Sequence, residues 1–452
     1  MTSFLDLGLP SGIVQVLSRL GIVDPFPIQE AAIPDAISGR DILGRGPTGS
    51  GKTFTFGLPM ITRLQESGVS KPSKPRGLIL VPTRELAAQV RERLEEPASA
   101  MGLRVLEVVG GVSIKRHITS LASPVDILVA TPGRAQDLIN QGKLSLSEVE
   151  ISTLDEADQM ADMGFLPQVT KLLELTPKTA QRLFFSATLD GDVNKLVDRF
   201  MSDPVTHSTT AVKVTVETMS HYRFHVGDRE ARNSIVEKIA GRDGKTIMFM
   251  STKHGVDRQV KKLRRIGINA AGLHSDKGHN TRAAALAGFA DGSVPVLVAT
   301  DIAARGIDID DVDLVVHVDP PAAHKAYVHR AGRTARAGTV GKVVTLVMDN
   351  QREEVDKLLG KAGVSPVIVD VHADSAELTN ITGARKRNGK ALQPFGAQQK
   401  TSQRGKKQET TAQENQPKRG KSSSFRTRQS KKKRPIATFG GHKKKDGQKG
   451  RS

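Results

Sequence analysis

Gly46-Pro47-Thr48-Gly49-Ser50-Gly51-Lys52-Thr53 follows a short apolar run at 41–44 and precedes a stretch with helical character that begins at Lys52. It satisfies the phosphate-loop pattern GxxxxGK[ST]. The glycines let backbone N–H groups approach phosphate oxygens with no Cβ in the way, and the new helix adds its positive N-terminal end. Thr48, Gly49, Ser50 and Gly51 supply the cradle, Lys52 is placed to reach the β- and γ-phosphates, and Thr53 is placed to hold Mg²⁺. Strand, glycine-rich loop and helix in that order predict a parallel α/β sheet with its ligand at the carboxyl edge.

Working outward, the same rhythm recurs. RGLILVPTREL (76–86), RVLEVVGG (104–111), DILVATPGR (126–134), ISTLDEAD (151–158) and RLFFSAT (182–188) are short apolar runs that end in small or polar residues. A second set follows: KTIMFMSTK (245–253), INAAGLHS (268–275), PVLVATD (295–301), DLVVHVD (313–319) and GKVVTLV (341–347). Near-continuous Val/Ile/Leu runs suit strands buried on both faces of a parallel sheet. Helical stretches such as 85–101 and 255–266 lie between them, so the alternation predicts α/β architecture repeated once. The divisions expected are a first domain at 1–204, a linker at 205–218, a second domain at 219–372 and a basic tail at 373–452. Two carboxyl edges facing each other would form a cleft lined from both halves.

Two further patterns carry chemistry. Asp155-Glu156-Ala157-Asp158 sits at the end of a buried strand. There Asp155 is placed to hold Mg²⁺ through water, and Glu156 to orient and deprotonate an attacking water. His329-Arg330-Ala-Gly332-Arg333-Thr-Ala-Arg336 places Arg333 and Arg336 one helical turn apart, able to point at one target. A guanidinium donates several hydrogen bonds at once to a phosphate in its transition state. A basic surface helix is the plain alternative; it loses ground because the first half has no obvious arginine of this kind.

Charge is unevenly spread. The 452 residues include 67 Lys and Arg and 48 Asp and Glu, a net +19. Residues 381–452 hold 22 of the cations and three of the acids, whereas residues 1–380 balance at 45 of each. The tail is Gln-, Gly- and Ser-rich and reads as disordered, because it cannot bury enough apolar surface to offset the entropy of folding. It is expected to act as a nonspecific polyanion tether. The absence of cysteine excludes disulfides, Cys-ligated metal centres and a cysteine nucleophile. With no Trp and two Tyr, arrays of aromatic stacking platforms are not expected. The N-terminus MTSFLDLGLPSG lacks a secretory pattern and no apolar run reaches membrane-spanning length, so a soluble, cytoplasmic protein is expected with no membrane partner.

The tetrad at 155–158 spells the name of the DEAD-box RNA helicases, and the chain resembles that family from about residue 4 to about 350. The stretch 21–29, with Phe4 upstream, resembles its adenine-reading Q motif. Pro82-Thr83-Arg84-Glu85-Leu86, Gly110-Gly111, Thr131-Pro132-Gly133-Arg134, Ser186-Ala187-Thr188 and 299–308 resemble its remaining signatures. The resemblance implies two tandem RecA-like parallel-sheet domains that hydrolyse ATP with Mg²⁺ and unwind short RNA duplexes locally. It implies Phe4, Gln29 and Asp308 at the nucleotide. It implies Pro82, Thr83, Arg84, Gly111, Thr131, Arg134 and Thr300 along the RNA backbone. Ser186, Thr188, Asp158 and Arg305 would couple hydrolysis to RNA, and the loop 273–282 would face RNA. Ile22 stands where an aromatic is usual, Phe26 where Thr is common, Gly46 where Ala is usual, Ser275 where Gly is usual and His279 where Gln is usual. A monomer acting on ribosomal precursors or in RNA decay is expected. An annealing protein, an ATP-gated clamp and a DNA helicase remain as alternatives.

Overall fold

A computed structural model describes residues 2–46, 50–187, 191–208, 219–304, 312–334 and 341–396, apart from the side chain of His279. The apolar runs of the first half form β1 (Ile42–Arg45), β2 (Gly77–Leu80), β3 (Val105–Val108), β4 (Ile127–Ala130), β5 (Ile151–Leu154), β6 (Gln181–Ser186) and β7 (Val205–Ser208). Those of the second form β8 (Met219–His225), β9 (Thr246–Phe249), β10 (Ala270–Leu273), β11 (Val296–Ala299), β12 (Leu314–His317), β13 (Gly341–Val347) and β14 (Val367–Asp370). The first sheet runs β3-β4-β2-β5-β6-β1-β7 and the second β10-β11-β9-β12-β13-β8-β14, each strand parallel to its neighbours. Counted from its own first strand, each sheet has the same order, so the repeated rhythm of the sequence is a repeated topology.

Helices cover both faces of each sheet, so the central strands are buried along their length, including polar residues such as Ser152, Thr153 and Arg182. In the first half they are α1 (Ser11–Arg19), α2 (Pro27–Ile37), α3 (Lys52–Glu66), α4 (Arg84–Ala100), α5 (Ile114–Leu121), α6 (Pro132–Asn140), α7 (Ala157–Asp162), α8 (Leu166–Glu174) and α9 (Gly191–Phe200). In the second they are α10 (Arg229–Ala240), α11 (Lys253–Arg265), α12 (His279–Ala290), α13 (Asp301–Ala304), α14 (His324–Ala331), α15 (Arg352–Ala362) and α16 (Ala376–Thr382). Each sheet separates two apolar clusters. In the second half, α10 and α11 pack with Val256 and Leu263 on one face, while Phe289 and Tyr327 of α12 and α14 pack on the other. No helix among the described residues is long and apolar enough to cross a membrane.

Two expected boundaries move. The segment 205–218 begins inside the first sheet, because Val205–Ser208 is β7 and pairs with β1 from Ile42↔Val205 to Arg45↔Ser208. Its alternating half-buried pattern is that of an edge strand, with few large apolar groups to announce it. Residues 209–218 lie outside the described structure. Likewise the basic tail does not begin at 373. Leu378 and Ala384 are buried in the core of the second half, and α16 docks there before the chain continues in contact with that half to residue 396. A single turn of apolar residues is enough to anchor a short helix, yet too short to register as a helical period. Residues 397–452 lie outside the described structure.

Candidate active site and nucleic-acid interface

Lys52, Thr53, Thr83, Arg84, Gly111, Thr131, Arg134, Asp155, Glu156 and Thr300 lie just beyond a strand's carboxyl end or at the helix start that follows it, whereas Phe4 and Gln29 precede β1 and His329 and Arg333 lie at the end of α14. β1 leads into the phosphate loop, and α3 starts at Lys52 behind Gly51, whose φ of 90° is left-handed. That glycine is required twice over, since a Cβ would also lie 2.6 Å from Gln29 Nε2. Gln29 is buried and braces the loop: its Nε2 donates to Gly51 O at 3.0 Å, and its Oε1 accepts from Phe26 N at 2.8 Å. Phe26 therefore sits against the loop with its ring half exposed. Phe4, expected at the nucleotide, is 2% exposed and packs in the apolar core with Leu7, Leu9 and Ile13. Its ring is used in packing, as its apolar neighbours dictate.

β5 delivers Asp155 and Glu156 opposite the loop. Lys52 Nζ lies 3.1 Å from Glu156 Oε1 and 3.0 Å from Gly46 O, with both side chains buried. Glu156 has φ 54° and ψ 50°, an unfavourable left-handed conformation for a residue with a Cβ. Burial pushes the Asp155 carboxyl up to about 7, with the Glu156 and Asp158 carboxylates adding to the effect and Lys52 opposing it. Burial works on Glu156 too, but Lys52 and then His329 and Arg333 hold it below the usual glutamate range. Burial acts to lower the Lys52 ammonium, yet the Glu156, Asp155 and Asp158 carboxylates hold it above its ordinary value. Thr53, in the first turn of α3, is also buried.

His329 and Arg333 come from the second half. His329 Nε2 approaches Asp158 Oδ2 at 3.8 Å, and Arg333 is buried near enough to act on Glu156 by its charge. The first half's Ser186 is fully buried: its Oγ accepts from Asp158 N at 3.2 Å, and its carbonyl accepts from Gly46 N at 3.2 Å. One serine thereby ties the phosphate loop to the acidic tetrad. Arg330, the arginine between His329 and Arg333, turns away to clasp Asp301 and the Asp319 carbonyl. Thr48, Gly49, Thr188, Arg305, Asp308 and Arg336 lie outside the described residues.

A second group gathers beside the cleft. Thr83 caps α4, its Oγ1 accepting from Leu86 N, and starts that helix with Arg84. Gly111, at φ 75°, leaves the space into which the Arg84 guanidinium folds. Thr131 is the cap residue of α6, which presents Arg134. Pro82 is buried just after β2, and Thr300 follows β11, its N–H bonded to Leu273 O. Arg282 of α12 crosses from the second half to meet Glu85 Oε2 at 2.8 Å. Arg84 is close enough for its charge to act on both Arg134 and Arg282. The buried Nε atoms of Arg134 and Arg282 have no hydrogen-bond partner among the described residues. Buried donors of this kind are costly unless an acceptor arrives, and a phosphate backbone is such an acceptor.

Two positioning contacts had no signal in the sequence. One is the Glu85–Arg282 pair, which joins the halves. The other is His117 of α5, whose Nδ1 accepts from Arg134 Nη1 at 2.8 Å. Burial, helped by Arg134 and Arg116, lowers His117 to about 4. The unfolded chain protonates this histidine near 6.5 while the folded chain resists to about 4, so stability falls as pH drops through that window. In His117→Asn, whose amide oxygen can still accept from Arg134, thermal midpoints between pH 7 and 4.5 should fall less steeply than in the parent chain.

A model of the DEAD/DEAH box helicase family matches residues 26–196, and one of the helicase conserved C-terminal domain matches 231–338. An ATP-dependent RNA helicase CshA of Limosilactobacillus reuteri is 38% identical over 359 residues, covering 78% of this chain and 71% of the relative. That of Listeria monocytogenes is 39% identical over 352 residues, covering 78% and 67%. The S. cerevisiae Dbp5 structure bound to RNA and ADP BeF3 superposes with a TM-score of 0.74 at 26% identity, covering 85% of this chain and 98% of the other. The two sheets are accordingly RecA-like. With these matches and the ordered motifs at its two carboxyl edges, the chain belongs to the DEAD-box ATP-dependent RNA helicases.

Proposed function

We propose that the cleft is a split ATPase site whose completion is coupled to RNA held across both halves. The observation that carries this is the meeting of Lys52, Asp155 and Glu156 from the first half with His329 and Arg333 from the second around one buried point. ATP is the substrate. Lys52 exchanges its Glu156 partner for the terminal phosphates, which releases Glu156 to orient and deprotonate water. Arg333 adds its fork to charge that develops on the transferred phosphoryl group. Ser186 carries the state of the loop to Asp158, and Asp158 to His329, so hydrolysis is sensed at the contact between halves. Gln29 retains one amide hydrogen and one lone pair for the adenine edge beyond its two backbone bonds.

The residues fit Mg²⁺. Asp155 and the Thr53 hydroxyl are too few for an all-protein cage, and no cluster of three His, Cys, Asp or Glu ligands occurs among the described residues. That donor set suits an ion that takes its other ligands from phosphates and water, and a cation would relieve the raised Asp155. When bound, the ion would neutralise phosphate oxygens.

RNA backbone lies along Thr83, Arg84, Gly111, Thr131, Arg134 and Thr300, with Arg282 completing the track. These groups read phosphate and ribose, so binding is largely sequence-independent. Local unwinding of short duplexes by a monomer in the cytoplasm is the activity this supports, with ribosomal precursors or decaying RNA as substrates and the basic C-terminal segment as a tether. ATP hydrolysis should rise severalfold with RNA, and Lys52→Ala should abolish nucleotide binding. Equal stimulation by single-stranded DNA would refute the RNA assignment.

A further inference from the structure

Beyond the cleft, the second half carries a basic lane that none of the motifs uses. Arg258, Lys261 and Arg265 are spaced three and four apart on α11 and so share one face, about 10 Å long at 1.5 Å per residue. All three are exposed, and none has an acidic partner among the described residues. Their neighbours differ: Lys253 pairs with Asp276, Lys262 with Glu237, and Lys277 with Asp257.

The chain after α16 completes a site beside this lane. It runs along the ends of α10 and α11, with Arg385 N and Gly389 N donating to Lys238 O and Ile266 O at 3.0 Å each, and Leu392 N to Arg264 O at 2.8 Å. The Arg264 guanidinium then lies 5.8 Å from the centre of the Phe395 ring, half-buried on the other side. Between this strap and α11 is a groove of about 410 Å³ bordered by Lys261, Arg265, Lys277, Thr281 and Phe395. Gly396, the last described residue, lies against Thr281 in the loop and helix start expected to face RNA.

We propose that this groove and the Arg258–Lys261–Arg265 face bind the sugar-phosphate backbone of RNA that extends beyond the cleft, a second contact separate from the motif residues. Unpaired cations on one face supply charge without sequence preference, and the half-buried Phe395 supplies an apolar wall. The strap is the device that builds the groove, which explains why the chain remains folded past the last strand. The proposal rests on the RNA-helicase reading above.

The test uses the full chain and two single-stranded RNAs: one that fills only the cleft, and one extended at either end by ~10 nucleotides. Binding is titrated with a nonhydrolysable ATP analogue at several salt concentrations. R258Q/K261Q/R265Q should weaken the extended RNA about tenfold and flatten its salt slope by about 2, at ~0.7 per phosphate contact on a single strand. It should leave the short RNA and ATP turnover at saturating RNA unchanged. R19Q/K143Q/K178Q, which removes equal charge elsewhere on the surface, should not reproduce the loss. The proposal is overturned if the short RNA weakens equally, if neither RNA weakens, or if the control variant matches. Failure of the parent chain to bind either RNA would instead refute the helicase reading.

Discussion

Glu156→Gln should abolish turnover, a loss of about 10²–10⁴-fold for removing a general base, while ATP-dependent RNA binding persists. The reason lies in the Lys52–Glu156 pair. Both groups are buried and 3.1 Å apart, so each is the other's counter-ion before substrate arrives. The neutral amide leaves Lys52 as a buried cation without its partner, a costly state. Two consequences follow besides lost chemistry. Without nucleotide the variant should melt at a lower temperature than the parent chain. With ATP it should recover more than the parent does, because phosphate replaces a partner that no longer competes. Calorimetry with and without ATP checks both. A variant that loses ATP binding together with turnover, while remaining folded, would show that Glu156 holds the substrate instead of activating water.

Arg333→Ala should lower kcat by about 10³-fold or more, the range seen when an arginine that stabilises a transferred phosphoryl group is removed. The KM for ATP should change little, because the loop, Lys52 and Gln29 that grip the ground state all belong to the first half. Arg333→Lys should rescue poorly, since an ammonium cannot reproduce the planar fork. If KM rises and kcat holds, Arg333 is a ground-state contact and the split-site reading fails. Steady-state kinetics at saturating RNA separate the two.

The groups proposed to carry the chemistry were legible in the sequence because their patterns are local. A phosphate loop needs its glycines, lysine and threonine within eight residues, and an acid at a strand end needs only the strand and the next two positions. Lys52, Asp155 and Glu156 come together at the carboxyl edge, and Gln29 bonds to Gly51 beside them. The burial of Phe4 was not legible, because its spacing to the adenine motif says nothing about which way the ring points. The burial of Leu7, Leu9 and Ile13 around it decided that. The edge strand β7 and helix α16 were missed for a related reason. A strand with one exposed face and a helix of seven residues carry too little apolar pattern to be told from linker and tail.

By itself the sequence determined the parallel α/β class, its repetition, the residues proposed for the phosphate and acid sites, and the concentration of net charge at one end. Each follows from short-range pattern or from counting. Only the tertiary structure decided which groups meet. Glu85 and Arg282 are 197 positions apart, and Asp158 and His329 are 171 apart. Pairing at that separation depends on how two sheets place their edges, which no local propensity encodes. The same holds for the +19. Counting put it all in the last 72 residues. The fold then assigned part of that segment to a strap on the second half, beside three cations of α11 that the neutral balance of the core had concealed.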